Sequence, residues 1–158
     1  MDKLDNLIAK ILYYICALLM LVMAVVITSQ VISRYVFGSP FTWSEELGRY
    51  TFVWLSFLGM AIAVKQGSHI ALDILVNKLT GVKRRTLMVI NNLFVMVFSL
   101  VLTYGGYNLV AVGARQSSPS LNLPMDLVYS VIPVSGILLF YFALRETMKV
   151  LQRKEEGI

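Results

Sequence analysis

The chain has 158 residues, of which 58% are hydrophobic and 15% charged, and its mean hydropathy is +0.73. A soluble domain carries about 25% charged residues, so this composition excludes an ordinary water-soluble domain and points to lipid as the solvent. The net charge of +5 does not call for nucleic acid, because the basic residues lie between apolar runs, where they set orientation in a membrane.

The length suits one membrane domain over 1–158, without internal repeats and without room for a soluble domain. Between Lys10 and Arg34 lie 23 uncharged residues, 11–33. At 1.5 Å per residue, about 20 apolar residues cross the hydrocarbon core, so this is a first full span. It is longer than a signal-peptide core and no A-x-A-like site follows it, so it reads as a retained anchor. Its single cysteine, Cys16, has no partner for an internal disulfide or a CxxC pair and reads as packing.

The second span is harder to place. Only 15 uncharged residues separate Arg49 from Lys65, about 22 Å of helix, which is too short to cross. The helix must begin earlier. Thr42-Trp43-Ser44-Glu45 fits the S/T-x-x-E capping box, and a start near Trp43 gives a span over about 43–64 and a length of about 33 Å. Its first turns then carry Glu45, Glu46 and Arg49, spaced so that both carboxylates can reach one guanidinium. This cluster reads either as a helix start at headgroup depth, with Trp43 in the aromatic belt, or as a contact surface for a partner.

A loop over 65–85 follows. In it Leu72, Leu75, Val76 and Leu79 share one helical face, with Asp73, Asn77 and Thr80 opposite, which predicts a short amphipathic helix at the membrane interface beside Lys83-Arg84-Arg85. The third span runs over 86–114, 29 uncharged residues, and the fourth over 127–144, 18 residues with Pro133 near the start. Between them Gln116-Ser117-Ser118-Pro119-Ser120 and Pro124 predict an irregular connection. The fold class is therefore an all-α integral membrane protein of four transmembrane helices with one interfacial helix between the second and third.

Orientation follows from the basic residues. The N-terminal segment, the 65–85 loop and the C-terminal segment hold eleven of the fourteen, and the other two connections hold only Arg34, Arg49 and Arg115. By the positive-inside rule both termini and the 65–85 loop face the cytoplasm.

Catalytic and coupling chemistry is missing from the spans. The first, third and fourth have no Asp, Glu, Lys, Arg or His between their boundary charges, and intramembrane charge is the usual mark of function. The one histidine, His69, rules out bis-histidine haem ligation within the chain and reads as an interfacial polar residue instead of a metal ligand. Ser29-x3-Ser33, Gly59-x3-Ala63 and Gly105-Gly106 are sites of close backbone approach, within this bundle or against another membrane protein, the former being favoured. No residue is assigned to catalysis, to a cofactor or to a metal, and the chain reads as a non-enzyme.

Arg34-Tyr35-Val36-Phe37-Gly38-Ser39-Pro40-Phe41-Thr42-Trp43-Ser44-Glu45-Glu46-Leu47-Gly48-Arg49 resembles the signature of the small membrane subunit (Q component) of tripartite ATP-independent periplasmic (TRAP) transporters. In that family an R-Y-x-F-x-x-P-x-x-W-[ST]-E-E stretch joins the first two helices. Gly67-Ser68-His69-Ile70-Ala71-Leu72-Asp73 resembles the G-x-H-[IV]-x-[VL]-D segment after helix two. The later spans match in length and hydrophobicity only.

The resemblance implies a multi-pass protein of the bacterial inner membrane that pairs with a large membrane subunit holding the substrate and sodium sites. It also implies a periplasmic solute-binding protein that delivers a carboxylate-bearing solute. The small subunit would enlarge the static scaffold of an elevator-type transporter, with no cofactor of its own, and Arg34, Trp43, Ser44, Glu45, Glu46, Arg49, His69 and Asp73 become candidate interface or structural residues. Two alternatives stand beside this: a self-sufficient small oligomeric transporter, which would need an embedded carboxylate, and an anchor of a redox complex, which would need histidine ligands.

Overall fold

The computed structural model describes residues 2–39, 41–66 and 81–152. Among these, five helices follow in order: α1 (Asp2–Val36), α2 (Thr42–Lys65), α3 (Gly81–Gly113), the single-turn α4 (Met125–Tyr129) and α5 (Val131–Gln152). Four stretches are long and apolar enough to cross a membrane, the last formed by α4 and α5 together. The predicted interfacial helix, with His69 and Asp73, lies outside the described residues, as does Pro40 of the 34–49 motif.

The four long helices stand in a row. α1 packs on α2, α2 on α5, and α5 on α3. The inner pair, α2 and α5, supplies most of the core, including Leu58, Ala61, Ile62, Val131, Leu139, Phe142 and Ala143. The outer helices α1 and α3 bury little of themselves within the chain. In water such exposure would be ruinous, whereas lipid or a membrane partner solvates it at no hydrophobic cost.

The α1 seam repeats every 3.5 residues. Asp5, Ala9, Leu12, Val26 and Ser33 are buried, and Cys16, Leu19, Met23 and Gln30 are half-buried at the positions between. Steps of four and three keep one stripe facing a neighbour along the whole helix, as in left-handed helix pairs. Gly48 of α2 packs beside this stripe, since a Cβ there would lie 3.8 Å from Ile27 Cγ1.

The seam of α3 with α4 and α5 is closer. A Cβ on Gly106 would sit 2.7 Å from Pro133 Cδ, one on Gly113 2.8 Å from Tyr129 Cδ2, and one on Gly136 3.0 Å from Ser99 O and from Thr103 N. Only hydrogen fits at those three points. Ser99, Thr103 and Ser135 line the same seam and bond their hydroxyls to carbonyls one turn back, so no polar group is left bare in it. The expectation of intrachain packing thus holds for Gly106 and fails for Gly105 and Gly59, where an added Cβ meets nothing within 4 Å. Gly59 and the exposed Ala63 turn away from the row, because α2 is held on its other sides by α1 and α5.

Pro133 lies in the first turn of α5, where its ring occupies the place of an N–H to residue 129, and Ser130, itself in helical conformation, separates α4 from α5.

Candidate functional site

The 34–49 motif folds into one end of the row, where α1 turns into α2. Gly38 takes a positive φ of 70° in that turn, a conformation that costs glycine nothing. The buried Ser33 hydroxyl donates across the turn to Ser39 O at 2.6 Å. Phe41 and Trp43 stack with centroids 5.7 Å apart.

The capping box does not form. The N-cap of α2 is Phe41, without a side-chain cap bond, and Ser44 Oγ donates to Phe41 O at 2.7 Å. Glu45 is drawn instead to α1, where its Oε1 accepts from Gln30 Nε2 at 3.0 Å and from Arg34 at 3.3 Å. A helix alongside with two donors outcompetes a single orphan N–H. The Arg34–Glu45 pair remains about half exposed, so it orients the two helices more than it stabilises them.

Glu46 does something else. It is 3% exposed, and its Oε2 accepts the backbone N–H groups of Ser120 at 3.0 Å and Leu121 at 2.9 Å. Its Oε1 accepts the Tyr50 hydroxyl at 2.7 Å. The connection it clasps is short and bonded across itself: Ser118 exchanges backbone bonds with Leu123 and Asn122, and Met125 N donates to Gln116 O. Asn122 adopts a left-handed φ of 53°, which asparagine tolerates better than most residues. Trp54 of α2 adds a bond from Nε1 to Val128 O at 3.1 Å.

The two carboxylates therefore do not share Arg49. Among the described residues its guanidinium makes neither a hydrogen bond nor an ion pair. It is exposed at the mouth of a groove of about 530 Å³ floored by Val53, Leu109, Val128 and Ile132.

The opposite end holds a cluster that sequence reading passed over. Asp5, also 3% exposed, receives Arg145 through Nε at 3.0 Å and Nη2 at 2.9 Å on Oδ2, and the Tyr141 hydroxyl at 2.6 Å on Oδ1. Nearby, Lys65 Nζ donates to Asn6 Oδ1 at 3.0 Å and Arg85 to Leu151 O at 3.3 Å. A signal for Asp5 was present: it continues the inward stripe of α1 back from Leu12 and Ala9, so an acid at that register had to be met by a donor.

A row of four membrane-length helices whose buried carboxylates clasp its own loop and its own helices defines a multi-pass membrane protein. Residues 23–153 match the family of tripartite ATP-independent periplasmic transporters, DctQ component, and the chain belongs to that family. It is 34% identical over 106 residues to the C4-dicarboxylate TRAP transporter small permease protein DctQ of Rhodobacter capsulatus, covering 66% of this chain and 47% of that one. It is 28% identical over 151 residues to the ectoine TRAP transporter small permease protein TeaB of Halomonas elongata, covering 92% and 78%. It is 28% identical over 124 residues to the isethionate TRAP transporter permease protein DctMQ of Oleidesulfovibrio alaskensis, covering 73% of this chain and 20% of that longer protein. These relatives are transporter components, not enzymes.

Proposed function

We propose that this chain is the static small subunit of a TRAP transporter, docked on a large membrane subunit that carries out the transport. The large subunit would work as a sodium-coupled elevator and import a carboxylate-bearing solute handed over by a periplasmic binding protein. The family match over residues 23–153 carries the reading, and the placement of the acids supports it. Glu46 and Asp5 spend their lone pairs on the chain's own loop and helices, whereas a coupling site must leave oxygens for an ion. The outward apolar sides of α1 and α3 offer the surface that a membrane partner would cover.

The eleven-to-three distribution of basic residues supports a bacterial inner-membrane orientation with both chain ends and the 65–85 loop in the cytoplasm. The Glu46 end then faces the periplasm. Reporter fusions after Gln116 should give a periplasmic signal, and fusions after Lys83 or Arg153 a cytoplasmic one. A cytoplasmic signal after Gln116 would overturn this orientation.

Function is tested by reconstitution into liposomes with an inward sodium gradient, comparing this subunit alone, the large subunit with the binding protein, and all three together. Uptake is expected only with all three. Uptake by this subunit alone would replace the scaffold reading with that of a self-sufficient transporter. Full uptake without it would remove any need for a scaffold.

A further inference from the structure

The groove beside Arg49 has a polar and an apolar part. Its apolar part, about 530 Å³, runs between α2, α3, α4 and α5 along Val53, Leu109, Val128 and Ile132. That volume lies within the range of about 300–1,000 Å³ typical of small-molecule sites. It is continuous at Glu46, Arg49 and Pro119 with a second hollow of about 320 Å³ that Thr42, Glu45 and Ser120 line. Arg49 stands where the two meet.

Charge is distributed unevenly around that junction. Glu45 is engaged by Arg34 and Gln30, and both oxygens of Glu46 are engaged by Tyr50, Ser120 and Leu121. Arg49, exposed and without a partner among the described residues, is the cation left to meet a ligand. Guanidinium matches a phosphodiester with two parallel N–H donors. An acyl chain fits an apolar trough that starts one helical turn further along α2, at Val53.

We infer that this groove is a binding site for one phospholipid with an anionic headgroup, its phosphodiester on Arg49 and one acyl chain along Val53, Leu109 and Ile132. The lipid would fill the wedge between α2 and α3, both of which pack on α5.

The test is native mass spectrometry of the full chain, delipidated and then supplied with equal dioleoyl-phosphatidylglycerol and dioleoyl-phosphatidylethanolamine. The wild-type chain should retain one phosphatidylglycerol with about fivefold preference, the factor that one basic residue supplies toward an anionic lipid. Arg49→Gln should abolish the preference, Val53→Trp should lose both lipids by filling the trough, and Arg115→Gln, on an exposed residue of the same end outside the groove, should change nothing. Retained preference in Arg49→Gln overturns the assignment, as does equal loss in Arg115→Gln. If Val53→Trp does not fold, the two arginine variants still decide. In membranes holding the assembled transporter, a phosphatidylglycerol with a photoactivatable acyl chain should label this chain between Leu109 and Ile132. Absence of label there would mean that a partner helix fills the groove, and would overturn the lipid.

Discussion

Glu46 and Asp5 are both buried carboxylates, one at each end of the helix row, and the fold satisfies them by opposite means. Glu46 is met by two backbone N–H groups and a tyrosine hydroxyl; Asp5 is met by a tyrosine hydroxyl and a forked arginine. Neutral donors from a loop fix the loop's shape, because the bonds exist only while the backbone holds its turn. A guanidinium fixes the spacing of two helices, because its fork must reach from α5 to α1. One acid orders a connection and the other locks the ends of a slab, at opposite ends of the same molecule.

The sharpest way to break this contrast is Arg145→Ala, which leaves Asp5 buried without its cation. Removing one partner of a buried pair costs about 3 kcal/mol or more, so thermal unfolding in detergent should shift down by several degrees. Asp5→Asn combined with Arg145→Gln should recover part of that loss, since no charge is then stranded. No recovery would show the bonds to be dispensable and the packing decisive.

Gly136→Val comes next. It adds bulk where a Cβ would already press on Ser99 and Thr103, and such overpacking costs about 1–3 kcal/mol. The α3–α5 seam lies between the two ends, so amide exchange should quicken at both. A change at one end alone would show that the ends are independent.

Glu46→Ala should act locally. Amide exchange at Ser120 and Leu121 should rise about tenfold as their acceptor disappears, with the Asp5 end unchanged. Glu46→Gln, which keeps an acceptor oxygen, should fall between. Equal exchange in wild type and Glu46→Ala would show that the 116–124 connection holds its own shape.

The smallest effect belongs to Arg34→Gln. Its pair with Glu45 is about half exposed, so the loss should stay under about 1 kcal/mol. A larger loss would place this pair with the buried ones and erase the distinction between clasping and orienting contacts.

The sequence determined the solvent, the four long apolar helices and the family. These depend on composition, on run length measured against bilayer thickness, and on a motif contained in sixteen consecutive residues. It also determined that the second helix starts before its apolar run, because 15 residues cannot cross. Contacts between distant segments were out of its reach. The spacing of Glu45, Glu46 and Arg49 permitted a local ion-pair cluster and a capping box, both chemically sound within one helix. Tertiary structure chose otherwise, because Gln30 and Arg34 of α1 reach Glu45, and Tyr50 with the N–H groups of Ser120 and Leu121 takes Glu46. Likewise nothing near Asp5 in sequence names Tyr141 or Arg145, which lie 136 and 140 residues on. Helix existence is a local property of a chain in lipid. Which partner a buried carboxylate takes depends on how distant helices and loops meet, and only packing decides that.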